Sequence, residues 1–196
     1  MFHYPAGTVR ALLKTDQVTK ATQQALTERL NAQPRQPTFF SEAEFLLLRA
    51  VCDQLIPQPN SPERICIEHS IDERLSENTT NGWRYDTMPN DGEAYRSGLK
   101  GIDESAVHLF QKPFQDLLDE QKNQVLQAIQ TMEAPGKTWQ TLPADRFFEE
   151  LLAEAAEAYY SHPLAQEEIG YVGMADVLTW HRIGLNQLEE REPRAI

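Results

Sequence analysis

Along most of the chain apolar residues recur at intervals of three and four, the spacing that lines one face of an α-helix. Over residues 8–30, Val9, Leu12, Leu13, Val18, Ala21, Ala25, Leu26 and Leu30 keep that period. Thr15 and Asp16 interrupt it, because both side chains compete for backbone hydrogen bonds and prefer caps. The stretch therefore divides into a short turn and a longer helix. A linker spaced by Pro34 and Pro37 follows. Ser41-Glu42-Ala43-Glu44 is a capping box, in which hydroxyl and carboxylate each satisfy an amide that a helix start leaves open. Behind it, Phe45, Leu48, Cys52 and Leu55 form one stripe, widened by Leu47, Val51 and Ile56. This helix is apolar on most sides and is expected at the centre of the fold, with Pro57 and Pro59 stopping it.

Ser61-Pro62 is expected to open the next helix, carried on by Ile67, Ile71 and Leu75. Residues 76–92, with Gly82, Pro89 and Gly92, read as a long loop. From Glu93 the period resumes through Tyr95, Leu99, Ile102, Ala106, Leu109 and Phe110 until Pro113 breaks it. Leu117, Leu118, Val125, Leu126, Ile129 and Met132 belong to a further helix or bent pair, closed by Pro135-Gly136. Pro143-Ala144-Asp145 then starts a strong helix. Its two rows, Phe147/Leu151/Ala155/Tyr159 and Phe148/Leu152/Ala156/Tyr160, make a broad stripe expected in the core. Glu149, Glu150, Glu154 and Glu157 are expected on the solvated face opposite. After Ser161 the tail, with Pro163, Gly170, Gly173 and Gly184, reads as irregular. No stretch shows the alternation of a strand, and no internal repeat or low-complexity tract occurs. The expected fold is all-α: a single helical domain of six or seven helices with an irregular C-terminal extension.

Composition narrows the function classes. A chain of 196 residues is long enough to build a core without metal or disulfide. Its formal charge of −12 repels phosphate backbones, which argues against nucleic-acid binding. The longest apolar run, Phe45 to Leu48, is far short of the ~20 residues that span a bilayer. Cys52 and Cys66 read as two small buried hydrophobes or, in an oxidising compartment, as a disulfide. The N-terminal residues lack a twin-arginine pair, an apolar signal core and a small-residue cleavage site, so the expected location is cytoplasmic as encoded.

Catalytic motifs are missing: no GxGxxG, GxxxxGK[ST] or GxSxG occurs, and Gly170-Tyr171-Val172-Gly173 reads as a turn. His3, His69, His108, His162 and His181 do not pair at helical ligand spacing. Glu68-His69 with Asp72 shares one helix face and reads as a surface ion pair, since a metal would need two further ligands. No catalytic, cofactor-binding or metal-binding residue is therefore assigned. Tyr159-Tyr160-Ser161-His162-Pro163 and Glu168-Ile169-Gly170-Tyr171 admit two readings, a cap on the core or a docking surface of apolar area with hydrogen-bonding tips. On the second reading the partner-binding residues are Tyr159, Tyr160, His162, Tyr171 and Trp180.

An ordered set of short patterns adds a resemblance. It begins with Phe39-Phe40, Glu44 and Leu48-Arg49-Ala50-Val51-Cys52-Asp53-Gln54-Leu55-Ile56-Pro57. Tyr95-Arg96-x-Gly98-Leu99-x-x-Ile102-Asp103, Pro113-Phe114 and Asp119-Glu120-Gln121 follow. Phe147-Phe148, Ala158-Tyr159-Tyr160-Ser161-His162-Pro163 and Glu168-Ile169-Gly170-Tyr171 complete it. Together, over about residues 39–173, these resemble the gluconate 2-dehydrogenase subunit 3 family. The resemblance implies a small helical accessory subunit, not catalytic alone, of a dehydrogenase complex. Its large partner would be a flavoprotein of the glucose–methanol–choline type that oxidises sugars, polyols or sugar acids. FAD would sit on that partner, no cofactor would sit in this chain, and electrons often pass to a cytochrome c subunit. Many members begin with a twin-arginine signal, so a periplasmic complex would require co-export with a signal-bearing partner. The division expected on this basis is an N-terminal helical arm and linker (1–38), a family-like helical domain (39–173) and a tail (174–196). Two rival readings are a stand-alone metal-dependent helical enzyme using His69, His108 or His162, and a self-contained homo-oligomer.

Overall fold

A computed structural model describes residues 4–58, 63–80, 85–173, 181–182 and 184–196. Helix accounts for 58% of them and no strand occurs among them, so the all-α expectation holds. Among the described residues there are eight α-helices: α1 (Thr8–Leu12), α2 (Lys20–Asn31), α3 (Glu42–Leu55), α4 (Ile67–Ser76), α5 (Asp91–Phe110), α6 (Asp119–Gln130), α7 (Ala144–Tyr160) and α8 (Pro163–Glu168). Six of the eight have seven or more residues, in line with the six or seven expected. The chain divides into two compact units, one of residues 34–158 and one of residues 1–33 with 159–196.

In the unit of residues 34–158, α3 packs on α4, α5 and α6, as its nearly all-round apolar surface requires. Leu48, Val51 and Cys52 are each 0% exposed. The capping box forms as expected: Ser41 Oγ accepts from the Glu44 N–H at 3.4 Å, and Glu44 Oε2 accepts from the Ser41 N–H at 2.9 Å. Upstream of it, the linker is held by Asp72 of α4. Its Oδ2 accepts from the Thr38 N–H at 2.7 Å and the Thr38 hydroxyl at 2.9 Å, and its Oδ1 from the Phe39 and Phe40 N–H groups at 3.0 Å each. Asp72 is 1% exposed, so the expected surface pairing gives way to a buried anchor. Burial alone would raise its pKa, but the amides of Phe40, Thr38 and Phe39 and the Thr38 hydroxyl more than offset that and hold it low.

Helix α5 is the longest, and its stripe is Tyr95, Leu99, Ile102 and Ala106, each at most 2% exposed. Its two interior glycines are notches for aromatic rings. A Cβ at Gly98 would lie 2.1 Å from Phe147 Cζ, and one at Gly101 would lie 2.6 Å from Trp139 Cζ2. On α7, Phe147, Leu151 and Ala155 are at most 1% exposed, whereas Leu152 and Ala156 are half-buried and Tyr160 is exposed. The second row is thus the flank of the stripe, not its centre. Leu118 and Met132, read as part of a helical stripe, are 73% and 70% exposed because they lie just outside the two ends of α6.

Two boundaries differ from expectation. The proposed start at Ser61-Pro62 lies outside the described residues, and α4 begins at Ile67 with Cys66 at its N-cap. Pro163 does not merely end α7: it supplies the first residue of α8, whose N-cap is His162, with Nδ1 accepting from the Leu164 N–H at 3.3 Å.

In the other unit, Val9, Leu13, Val18 and Leu26 form a small core flanked by Leu12 and Leu30. Helices α1 and α2 both pack on α8. Glu167, 4% exposed, fixes the start of α1: it accepts from the Gly7 N–H at 2.8 Å, the Arg10 N–H at 2.9 Å and the Arg10 guanidinium Nη2 at 2.9 Å. Gly170 has φ +67° and lies under the Tyr4 ring, where a Cβ would come within 2.5 Å of Cδ1. Residues 4–31 are therefore integrated with the C-terminal elements by long-range contacts that local periodicity does not register.

Two substitutions test this account. Gly98→Ala is expected to force the Phe147 ring off its site and to cost about 1–3 kcal/mol in chemical denaturation. Asp72→Asn is expected to cost about 2 kcal/mol at neutral pH. Because the folded Asp72 pKa is depressed, its contribution is complete above the ordinary value of about 4 and is lost as pH falls through the lower folded value. The wild-type stability curve should therefore drop more steeply below about pH 4 than that of the variant.

Candidate functional site

Besides Asp72, buried charge concentrates at two places in the unit of residues 34–158. The first joins α4, α5 and α7. Glu154, expected on the solvated face, is only 9% exposed. It follows Phe147 by seven positions and Leu151 by three, and so shares their buried face. Arg74 meets it through Nε at 2.5 Å and Nη2 at 2.8 Å, and the Tyr95 hydroxyl donates to its Oε2. The third guanidinium nitrogen of Arg74 donates to Asp91 at 2.7 Å and to the Thr79 carbonyl at 2.9 Å. Burial, and then the charge of Glu154, push the Tyr95 phenol well above its ordinary pKa, so it stays protonated as a donor. Each polar group here has a protein partner, and the arrangement holds three helices in register.

The second lies at the head of α4. Glu68 is 1% exposed, not on the surface as expected, because Arg64 covers it with Nη1 at 2.8 Å and Nη2 at 2.9 Å. Asp53 on α3 takes the other edge of Arg64, from Nε at 2.9 Å and Nη2 at 2.6 Å. Beside them, His69 presents Nδ1 to Glu68 Oε1 at 3.6 Å, and its ring stands edge-on to Phe45 with centroids 4.9 Å apart. Among the described residues, Cys66, Glu68 and His69 form the group of His, Cys, Asp and Glu whose donor atoms converge closely enough to share an ion. Cys66 had not entered the sequence reading as a ligand; the C-x-E-H spacing was the available signal. His108 is exposed near the end of α5, and His162 serves as the cap of α8. Cys52 is fully buried, which together with the nearby Glu68 and Asp53 charges raises its thiol pKa well above the ordinary value.

The candidate docking residues lie in the unit of residues 1–33 and 159–196. Tyr160 and Tyr171 are each 46% exposed, and Ile169 between them in sequence is 47% exposed. Gln166 ties the two segments: its side-chain amide donates to the Tyr160 carbonyl at 3.2 Å, and its own carbonyl accepts from the Tyr171 N–H at 2.8 Å. His162 is half-buried, with Nε2 3.2 Å from the Arg29 carbonyl. Tyr159 differs from its neighbour: it is 6% exposed, its hydroxyl donates to Glu168 at 2.6 Å, and its ring meets Tyr160 edge-on at 5.1 Å. Burial and the bond to Glu168 push its phenol pKa up. The alternation arises because adjacent helical positions point about 100° apart. Trp180 lies outside the described residues.

Removing Arg74 would leave Glu154 buried beside a phenol alone. Arg74→Ala is expected to cost about 3–5 kcal/mol, against about 1 kcal/mol for Tyr95→Phe, measured by urea denaturation.

No helix among the described residues is long and apolar enough to cross a membrane. No curated protein and no solved structure matches the chain. A family model, that of gluconate 2-dehydrogenase subunit 3, matches residues 42–184, a span that takes in α3 to α8. On that match, covering most of its length, the chain belongs to the gluconate 2-dehydrogenase subunit 3 family, accessory subunits of dehydrogenase complexes.

Proposed function

We propose that this chain is a non-catalytic subunit that binds and stabilises a flavin-dependent large subunit of the glucose–methanol–choline type, which oxidises a sugar, polyol or sugar acid. FAD then resides on the partner, and a cytochrome c subunit is a further candidate member of the complex. The observation that carries the reading is the pair of half-exposed tyrosines, Tyr160 and Tyr171, with exposed Ile169, set on a chain of this family. Rigid aromatic rings with polar tips are favoured interface anchors, because they bury much area for little lost side-chain freedom. His162 belongs to the same proposed surface, Tyr159 supports it from beneath, and Trp180, outside the described residues, is kept as a candidate on its sequence alone.

Co-expression with a glucose–methanol–choline-type flavoprotein from the same genome tests the proposal. The flavoprotein should be recovered with this chain in a pull-down, and should lose solubility or flavin when the chain is omitted. A Tyr160→Ala, Tyr171→Ala double variant should keep its helical circular dichroism and bind the partner about 30-fold more weakly, equivalent to ~2 kcal/mol. Tyr159→Phe should instead cost about 1 kcal/mol of fold stability and leave partner affinity unchanged. A folded double variant with wild-type affinity would place the interface elsewhere, and an isolated chain that carries flavin would overturn the non-catalytic assignment.

A further inference from the structure

At the head of α4 the donor atoms of Cys66, Glu68 and His69 all lie within 4.8 Å of one another. Nδ1 of His69 is buried there with no hydrogen-bond partner. Its nearest charged neighbour is Glu68 Oε1 at 3.6 Å, too long for a hydrogen bond. That separation is close to the roughly 3.4 Å between nitrogen and oxygen ligands on one tetrahedral zinc ion, given Zn–N and Zn–O bonds of about 2.0–2.2 Å.

The other ring nitrogen explains what Nδ1 offers. Nε2 meets the backbone of Arg35 in one of two ways: it accepts from the amide N–H at 3.0 Å when the ring proton is on Nδ1, or donates to the carbonyl oxygen at 2.9 Å when the proton is on Nε2, the form a metal ion selects. When Nε2–H donates to the carbonyl, Nδ1 turns a lone pair toward the Glu68 carboxylate. Two electron-rich atoms then face each other in a buried place, and a cation between them converts repulsion into two bonds. An imidazole whose distal N–H is held by a backbone carbonyl is the usual form of a metal-binding histidine.

Glu68 is fixed without being used up. Each of its oxygens accepts one bond from Arg64, and a carboxylate oxygen has two lone pairs, so Oε1 retains one. Asp53 matches the charge of Arg64. Glu68 and a Cys66 thiolate then supply two negative charges, which a divalent ion neutralises.

We propose that Cys66 Sγ, Glu68 Oε1 and His69 Nδ1 bind one Zn²⁺ ion, with solvent in the fourth position beside half-buried Cys66. Thiolate, imidazole and carboxylate together suit zinc and do not suit magnesium or calcium, which take oxygen ligands. As the Zn–S bond forms, the Cys66 thiol releases its proton to solvent, with no change of oxidation state. The ion joins the first turn of α4 to the Arg35 linker through His69, and the folded chain gains stability by mass action.

Anaerobic titration of the full chain with Co²⁺, a spectroscopic stand-in for zinc, tests the proposal. One equivalent should give visible d–d bands and a near-ultraviolet thiolate-to-cobalt band, both abolished by added Zn²⁺. Cys66→Ser should lose the thiolate band, and His69→Gln should lower Zn²⁺ affinity at least about tenfold. A readout that needs no variant is alkylation of the wild-type chain with iodoacetamide, followed by mass spectrometry: saturating Zn²⁺ should protect Cys66. Cobalt binding without a thiolate band, unchanged Zn²⁺ affinity in Cys66→Ser, or unchanged alkylation of Cys66 at saturating Zn²⁺ would each overturn it.

Discussion

A carboxylate taken out of water must find donors of its own, and in this chain that requirement organises the connections between helices. Asp72 finds four donors on the Thr38–Phe40 linker, Glu68 finds Arg64, Glu154 finds Arg74 and Tyr95, and Glu167 finds Arg10 and the amides of Gly7 and Arg10. In each case the acid sits on a helix and a partner lies on another helix or on a connecting segment. The apolar stripes decide which faces meet. The buried acids decide where linkers and helix starts are pinned, because a one-residue slip would leave a charge buried without its partner.

Within residues 34–158 that pinning acts together with close packing. Gly98 and Gly101 let α5 receive the rings of Phe147 and Trp139, and the Trp139 indole N–H donates to Ser105 Oγ at 2.8 Å. Ser105 in turn lies 2.7 Å from the Pro135 carbonyl, so the turn after α6 is tied to α5 by a buried hydroxyl. Small residues and one satisfied polar group thus do the positioning that larger apolar side chains would obstruct.

The same economy separates supporting from presenting residues in the unit of residues 1–33 and 159–196. Tyr159 directs its ring inward and its hydroxyl to Glu168, while Tyr160, one position on, keeps nearly half its surface in water. For an accessory subunit of a dehydrogenase complex, a rigid foundation under an exposed aromatic lowers the ordering cost of association. This gives physical content to the proposed docking role of Tyr160 and Tyr171, and it separates that role from the buried ionic groups, whose partners lie within the chain.

The sequence by itself determined the helical class, the capping box at Ser41, the break near Thr15, and the buried row of Phe147, Leu151 and Ala155, because period and capping are local properties of the chain. It also carried the family, since short patterns in a fixed order survive without any knowledge of contacts. Only the tertiary structure decided the fate of the charged residues. Glu154 shares the spacing of the buried row, yet a charge at that position counts as surface until Arg74, 80 positions away, is seen to meet it. Glu68 and Asp72 lie on one helix and look alike in sequence, but one turns to Arg64 and the other to the linker amides. The union of residues 1–33 with 159–196 was equally illegible, because Arg10 and Glu167 are paired by a contact 157 positions apart and no local pattern records it. Hydrophobic period is written along the chain, whereas the partner of a buried charge is set by the fold that brings distant segments together.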